Sequence, residues 1–170
     1  MKATGVVRRI DELGRIVIPK EIRKNLTIKQ GENLEIFLLD NDTIALKKYS
    51  ILSRFSEISN ILVDSLYQTL NKEVILMDTD NIINYKGKRK DLLNKEISSD
   101  ITNILNDRRK VIDKNINLVD SIIEESYIIE PIIINGDLIG GIMIIDGSID
   151  QKDIELLDYT TRILNNYIEL

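Results

Sequence analysis

The chain has 170 residues, 43% hydrophobic and 30% charged, with a formal net charge of −5. That balance fits a soluble globular protein. The absence of cysteine and histidine excludes disulfides, thiolate metal sites and any Ser-His-Asp or Cys-His catalytic arrangement. Aromatics make up only 5%, so the core must be mostly Ile, Leu and Val. No apolar run approaches the roughly 20 residues that span a bilayer, and the N-terminus lacks the apolar stretch of a signal peptide. A cytoplasmic protein with no membrane partner is expected. No catalytic constellation is visible, so a non-enzyme without cofactor or metal is expected as well.

The charge is unevenly spread. Residues 1–50 carry 10 Lys/Arg against 7 Asp/Glu, whereas residues 51–170 carry 13 against 21. Residues 1–30 are the most basic stretch, with 8 basic and 3 acidic side chains. A basic module joined to an acidic one fits nucleic-acid binding by the first; chance scatter of solvated charge is the alternative. The boundary is expected near residue 50, where KKYS closes an extended segment and a helical pattern begins.

In chain order, residues 5–10 (GVVRRI) read as a strand of β-branched type. Residues 11–14 (DELG) form a polar break in which Gly14 can take positive φ. Residues 15–18 (RIVI) read as a second strand, and Pro19 suits the first position of a helix. Glu21 favours that helix's positive end, and Ile22 and Leu26 share one of its faces. Strands follow at 34–39 and 43–48, joined by the turn Asp40-Asn41-Asp42. A unit of this size buries too little surface to stand alone, which predicts pairing with a second copy.

Residues 53–70 place Phe55, Ile58, Leu62, Leu66 and Leu70 on one helical stripe, with Ser53 as a candidate N-cap. Strands are predicted at 73–77 and 81–85 around the turn 78–80. Residues 86–110 read as two short helices, the second capped by Ser99-Asp100, and 111–123 as short extended pieces. Residues 125–134 and 137–145 form a hairpin about Asn135-Gly136, a strong two-residue turn signal. A helix from Asp150 to Leu170 carries two apolar stripes, Ile154, Leu157, Leu164 and Ile168 on one and Leu156, Ile163, Tyr167 and Leu170 on the other. Helices on an antiparallel sheet make this an α+β domain. Gly140-Gly141 admits either close approach of a ligand or tight packing within the sheet. Asp78, Asp80 and Asp146 are either a carboxylate cluster or solvated turns.

The segment MKATGVVRRIDELGRIVIPKEIRKNL, continued by GENLEIF and IALKKYS, resembles the AbrB-type transition-state regulators over residues 1–50. The resemblance implies a swapped-hairpin β-barrel formed by two chains. It also implies a dimer that grips double-stranded, A·T-rich DNA through shape and deformability. The family's DNA-contacting positions correspond to Arg8, Arg9, Arg15, Arg23 and Lys24. Lys24 departs from the arginine usual there, and lysine lacks the bidentate fork. As alternatives, Arg8 or Arg9 pairs with Asp11 or Glu12, and Lys20 and Lys24 solvate a helix face. EPIIINGDLIGGIMII resembles the closing hairpin of GAF domains, and 53–170 as a whole is similar to a GAF-type regulatory domain. The layout resembles two-domain sporulation regulators. It implies a nucleoid-associated homotetramer that activates and represses genes, with an unidentified small-molecule ligand for the second domain. An antitoxin of a toxin–antitoxin pair is the alternative use of the N-terminal fold; its C-terminal part is ordinarily a flexible tail.

Overall fold

The computed structural model describes residues 5–28, 30–40, 42–89 and 91–169. Asn41 of the expected turn and Leu170 of the terminal stripe lie outside these. The chain forms two compact units, the first ending at Tyr49 and the second beginning at Ser50.

The first unit holds helix α1 (Lys20–Asn25) and the antiparallel hairpin β1 (Leu34–Leu39) and β2 (Thr43–Lys48), paired from Leu34–Lys48 to Leu39–Thr43. Pro19 caps α1 with φ −56 and ψ 147, so it precedes the helix instead of opening it. Residues 5–10 and 15–18, expected as strands, are not strands in the single chain. Strand geometry pairs backbone N–H and C=O groups along a ladder, and among the described residues these segments enter none; the Arg15 carbonyl instead accepts the Asp11 N–H of the turn. Their side chains tell the same story. Val7 is 85% exposed, Ile10 69% and Val17 73%, and Ile36, Leu38 and Ile44 of the hairpin are likewise exposed. Pro19 is the one buried side chain among the described residues of this unit.

The second unit is built on a five-stranded antiparallel sheet in the order β4-β3-β7-β6-β5. Its strands are β3 (Glu73–Asp78), β4 (Ile82–Lys86), β5 (Val111–Asn117), β6 (Ile122–Ile134) and β7 (Asp137–Asp146). Helices α2 (Ile51–Arg54), α3 (Ser56–Leu70) and α5 (Gln151–Ile168) serve one face, and α4 (Ser99–Asn106) serves the other. Successive strand residues point to opposite faces. Val74, Leu76, Ile142 and Ile144 therefore meet Leu66, Leu157 and Leu164, while Ile75, Met77, Met143 and Ile145 meet Ile101 and Leu105. Because both faces are covered, the central strands read as unbroken apolar runs.

Three local expectations need correction. The 53–70 helix is broken at Phe55 into α2 and α3, and Ser50 rather than Ser53 supplies the cap, its hydroxyl accepting the Ser53 N–H. Residues 87–89 and 91–97 form no helix. Asp91 and Asn94 take positive φ, and Ile82 exchanges backbone bonds with Lys95 and Asn94, so the segment lies along β4 as a bound loop. Arg89 ties that loop down through Glu73 (2.5 Å) and Glu125 (2.8 Å). The cap of α4 is Ser98, one residue earlier than expected. The hairpin turn is as expected, with Asn135 at φ 51 and Gly136 at φ 85, the double positive φ of a type I′ turn.

The start of α5 is held by a buried ion pair. Asp150 and Asp153 form a reciprocal capping box. Asp153, 1% exposed, also accepts a 2.7 Å bond from Lys72, which donates to the Ser148 carbonyl and lies 3.5 Å from Asp146. Burial works against the Lys72 ammonium, but Asp153, Asp146 and Asp150 outweigh it and raise its pKa above 10.5. The stabilisation is therefore complete below pH 10.5 and is lost as pH rises through the raised value. Removing one partner strands a buried charge, so Asp153→Ala is expected to cost about 3–5 kcal/mol, measured as a loss of unfolding free energy in urea.

Candidate nucleic-acid interface

Four basic side chains of the first unit, Arg15, Lys20, Arg23 and Lys24, sit on two small structures. The first is the turn at residues 11–15. The Asp11 N–H donates to the Arg15 carbonyl (3.0 Å) and the Gly14 N–H to the Asp11 carbonyl (2.9 Å), with Gly14 at φ 76. The Asp11 carboxylate fills the turn from within. Its Oδ1 accepts the N–H groups of Leu13 (3.0 Å) and Arg15 (2.8 Å), and its Oδ2 accepts Arg15 Nε (2.8 Å). The backbone N–H of Arg15, then its guanidinium, hold the Asp11 carboxyl below its ordinary range. The second structure is α1, where Lys20, Arg23 and Lys24 fall at spacings that share a face, all exposed.

The structure resolves the alternatives left open for individual arginines. Arg8 is exposed and donates to the carbonyl of its neighbour Val7 (3.1 Å), so it is not the partner of Asp11 or Glu12. Arg9 is exposed on the same segment. Arg15 is the partner of Asp11, with its side chain 72% exposed. Arg23 and Lys24 stand together on α1. The turn and the helix are each preassembled within one chain, while the segment bearing Arg8 and Arg9 is not built into a sheet. From the sequence, residues 11–14 read as a polar break with Asp11 a partner for Arg8 or Arg9, and its pairing with Arg15 was missed. The usable signal was an Asp opening a turn that closes on Gly14, with an arginine four residues on.

In the second unit the acidic residues do not form one cluster. Asp78 Oδ1 accepts the N–H groups of Asp80 (2.9 Å) and Asn81 (2.7 Å), a turn-forming role, while Asp146 faces Lys72. Gly140 and Gly141 are packing sites. A Cβ on Gly140 would collide with the Met77 carbonyl oxygen, and one on Gly141 would lie 2.5 Å from Leu105 Cδ2.

Residues 54–165 match the family described as "Stage V sporulation protein T C-terminal, transcription factor". The whole chain is similar to stage V sporulation protein T of Bacillus subtilis (strain 168), 42% identical over 91% of this chain and 93% of that protein. The chain belongs to the stage V sporulation protein T family. Its first unit is 55% identical to the transition state regulatory protein AbrB of the same organism, over 29% of this chain and 50% of that protein. Residues 7–51 also match the family "Antidote-toxin recognition MazE, bacterial antitoxin". The PixJ GAF domain of Thermosynechococcus elongatus has the fold of the second unit, with a TM-score of 0.50 at 14% identity over 71% of this chain and 90% of that one. The α+β reading is thus correct, with an AbrB-type first unit and a GAF-type second unit in a family of transcription factors.

In this GAF-type unit the glycine pair serves the sheet. Gly140→Ala is expected to destabilise the protein by about 1–3 kcal/mol through overpacking, read as a lower melting temperature in calorimetry.

Proposed function

We propose that the first units of two copies interlock as a swapped-hairpin barrel and bind duplex DNA through Arg8, Arg9, Arg15, Arg23 and Lys24. The observation that carries this reading is the combination, on one short unit, of exposed apolar strand-like segments and exposed guanidinium groups. Apolar side chains such as Val7, Ile10 and Leu38 gain a core only if another surface covers them. A second copy of the same segments supplies both that surface and strands to pair with. Dimerisation doubles the cations, and each phosphate neutralised releases a counterion. The 55% identity to AbrB over this unit supports the same assignment.

On this reading the protein acts in the cytoplasm at the nucleoid, favours deformable A·T-rich sites, and activates and represses genes of spore formation. No helix among the described residues is long and apolar enough to cross a membrane. The acidic second unit regulates the assembly and, through helical contacts, brings two dimers together as a tetramer; a small-molecule ligand for its GAF-type fold belongs to the same proposal. The antitoxin alternative calls for an extended tail after residue 50. Here that region is a sheet packed on both faces, which favours the regulator.

Two measurements check the reading. Arg15→Ala and Arg23→Ala are each expected to weaken DNA binding at least roughly tenfold, the loss of one charge-assisted contact of about 1.5–3 kcal/mol, while leaving the mass by sedimentation unchanged. DNA affinity that is unaltered in both variants contradicts the assignment. If roughly eight basic groups meet phosphates, affinity for the unmutated protein falls about 10³–10⁵-fold between 50 and 200 mM salt, as read by fluorescence anisotropy.

A further inference from the structure

A carboxylate on a DNA-binding surface ordinarily opposes binding, because it repels phosphate. Asp11 stands in the most basic stretch of the chain, only 3 and 4 residues from Arg8 and Arg15 in sequence. Its geometry is not that of a solvated acid. One oxygen accepts two backbone N–H groups of the turn, and the other accepts Arg15 Nε at 2.8 Å. The guanidinium has five N–H donors in a rigid fork. Engaging Nε fixes the plane of the fork and leaves both terminal nitrogens for an incoming partner. The Asp11–Arg15 backbone bond and the Gly14 turn fix the base from which the side chain projects.

We propose that Asp11 is a positioning residue for Arg15: it orients the guanidinium before DNA arrives, and so favours DNA binding despite its negative charge. The inference rests on the placement of Arg15 at DNA proposed above. Physically, a flexible arginine must lose its rotamer freedom on binding, and the turn removes part of that loss in advance. Nothing in the charge count points this way. By charge alone, neutralising Asp11 makes the unit more basic and strengthens DNA binding.

The two effects have opposite sign, which makes the test direct. Asp11→Asn keeps an oxygen to accept the Leu13 and Arg15 N–H groups, so the turn closes, but it removes the carboxylate from Nε. Dissociation constants for an A·T-rich duplex are measured by anisotropy for the full-length protein and for D11N, R15A and D11N/R15A. Circular dichroism and sedimentation confirm that each remains folded and assembled. D11N is expected to weaken binding roughly two- to tenfold, the cost of immobilising one rotamer-rich side chain converted to affinity. In the R15A background the same change is expected to leave affinity unchanged or raise it, because only the charge effect is left. Stronger binding by D11N in the presence of Arg15 overturns the proposal, and so does equal weakening in both backgrounds, which marks a role in the turn alone. If R15A itself binds like the unmutated protein, the placement of Arg15 at DNA fails, and the proposal with it.

Discussion

A β-strand leaves its backbone donors and acceptors unsatisfied until a neighbour pairs with them, and a two-stranded hairpin in water is marginal at best. The first unit of this protein meets that constraint with only β1 and β2 in register and with the apolar side chains at 6–10, 16–17 and 36–39 exposed. Everything proposed for this unit follows from that shortage. On the proposed reading the first unit completes its sheet with strands from a second copy, and the segments exchanged are those that carry arginine. Folding and the gathering of cations become one event.

The second unit shows the contrasting solution. Its sheet is covered on both faces, and two separate clusters of Ile, Leu, Val and Met fill the space against α4 on one side and α3 and α5 on the other. Charges appear where elements must be joined, as in Lys72 with Asp153 at the start of α5 and Arg89 between Glu73 and Glu125. The side chains of Lys72 and Asp153 each take part in two hydrogen bonds. The unit is therefore complete in itself, while the first is not. On the proposed reading that asymmetry suits a stable platform attached to a segment that takes form by association.

Much of this was legible in the sequence, and the misses have identifiable causes. The bounds of β1 and β2 were readable because β-branched and apolar residues lie between turn-formers. The Asn135-Gly136 turn was readable because few other residues accept two positive φ values in succession. The start of the last helix was readable at Asp150 because the apolar periodicity begins shortly after it, whereas the capping role of Asp150 emerged only from the structure. Residues 5–10 and 15–18 have strand composition but enter no ladder among the described residues, so composition reported a propensity that one copy does not realise. Residues 86–97 are charged and punctuated by Leu92 and Leu93, which mimics a helix; Asp91 and Asn94 in the left-handed region break it. Among the residues proposed for the interface, the arginines stood out by type and by family resemblance. Asp11 did not, because its importance lies in a hydrogen-bond geometry that only the folded turn reveals.

The swapped-barrel proposal stands on the strand-like segments of the first unit finding their ladder partners in a second copy. Amide hydrogen exchange of the intact protein, resolved to single residues, tests it most directly. The account predicts that N–H groups within residues 6–10 and 15–18 are protected, at a level comparable to β1 and β2, and lose that protection on dilution into the monomer. Exchange at free-peptide rates in these segments, with β6 and β7 protected in the same sample, would contradict it.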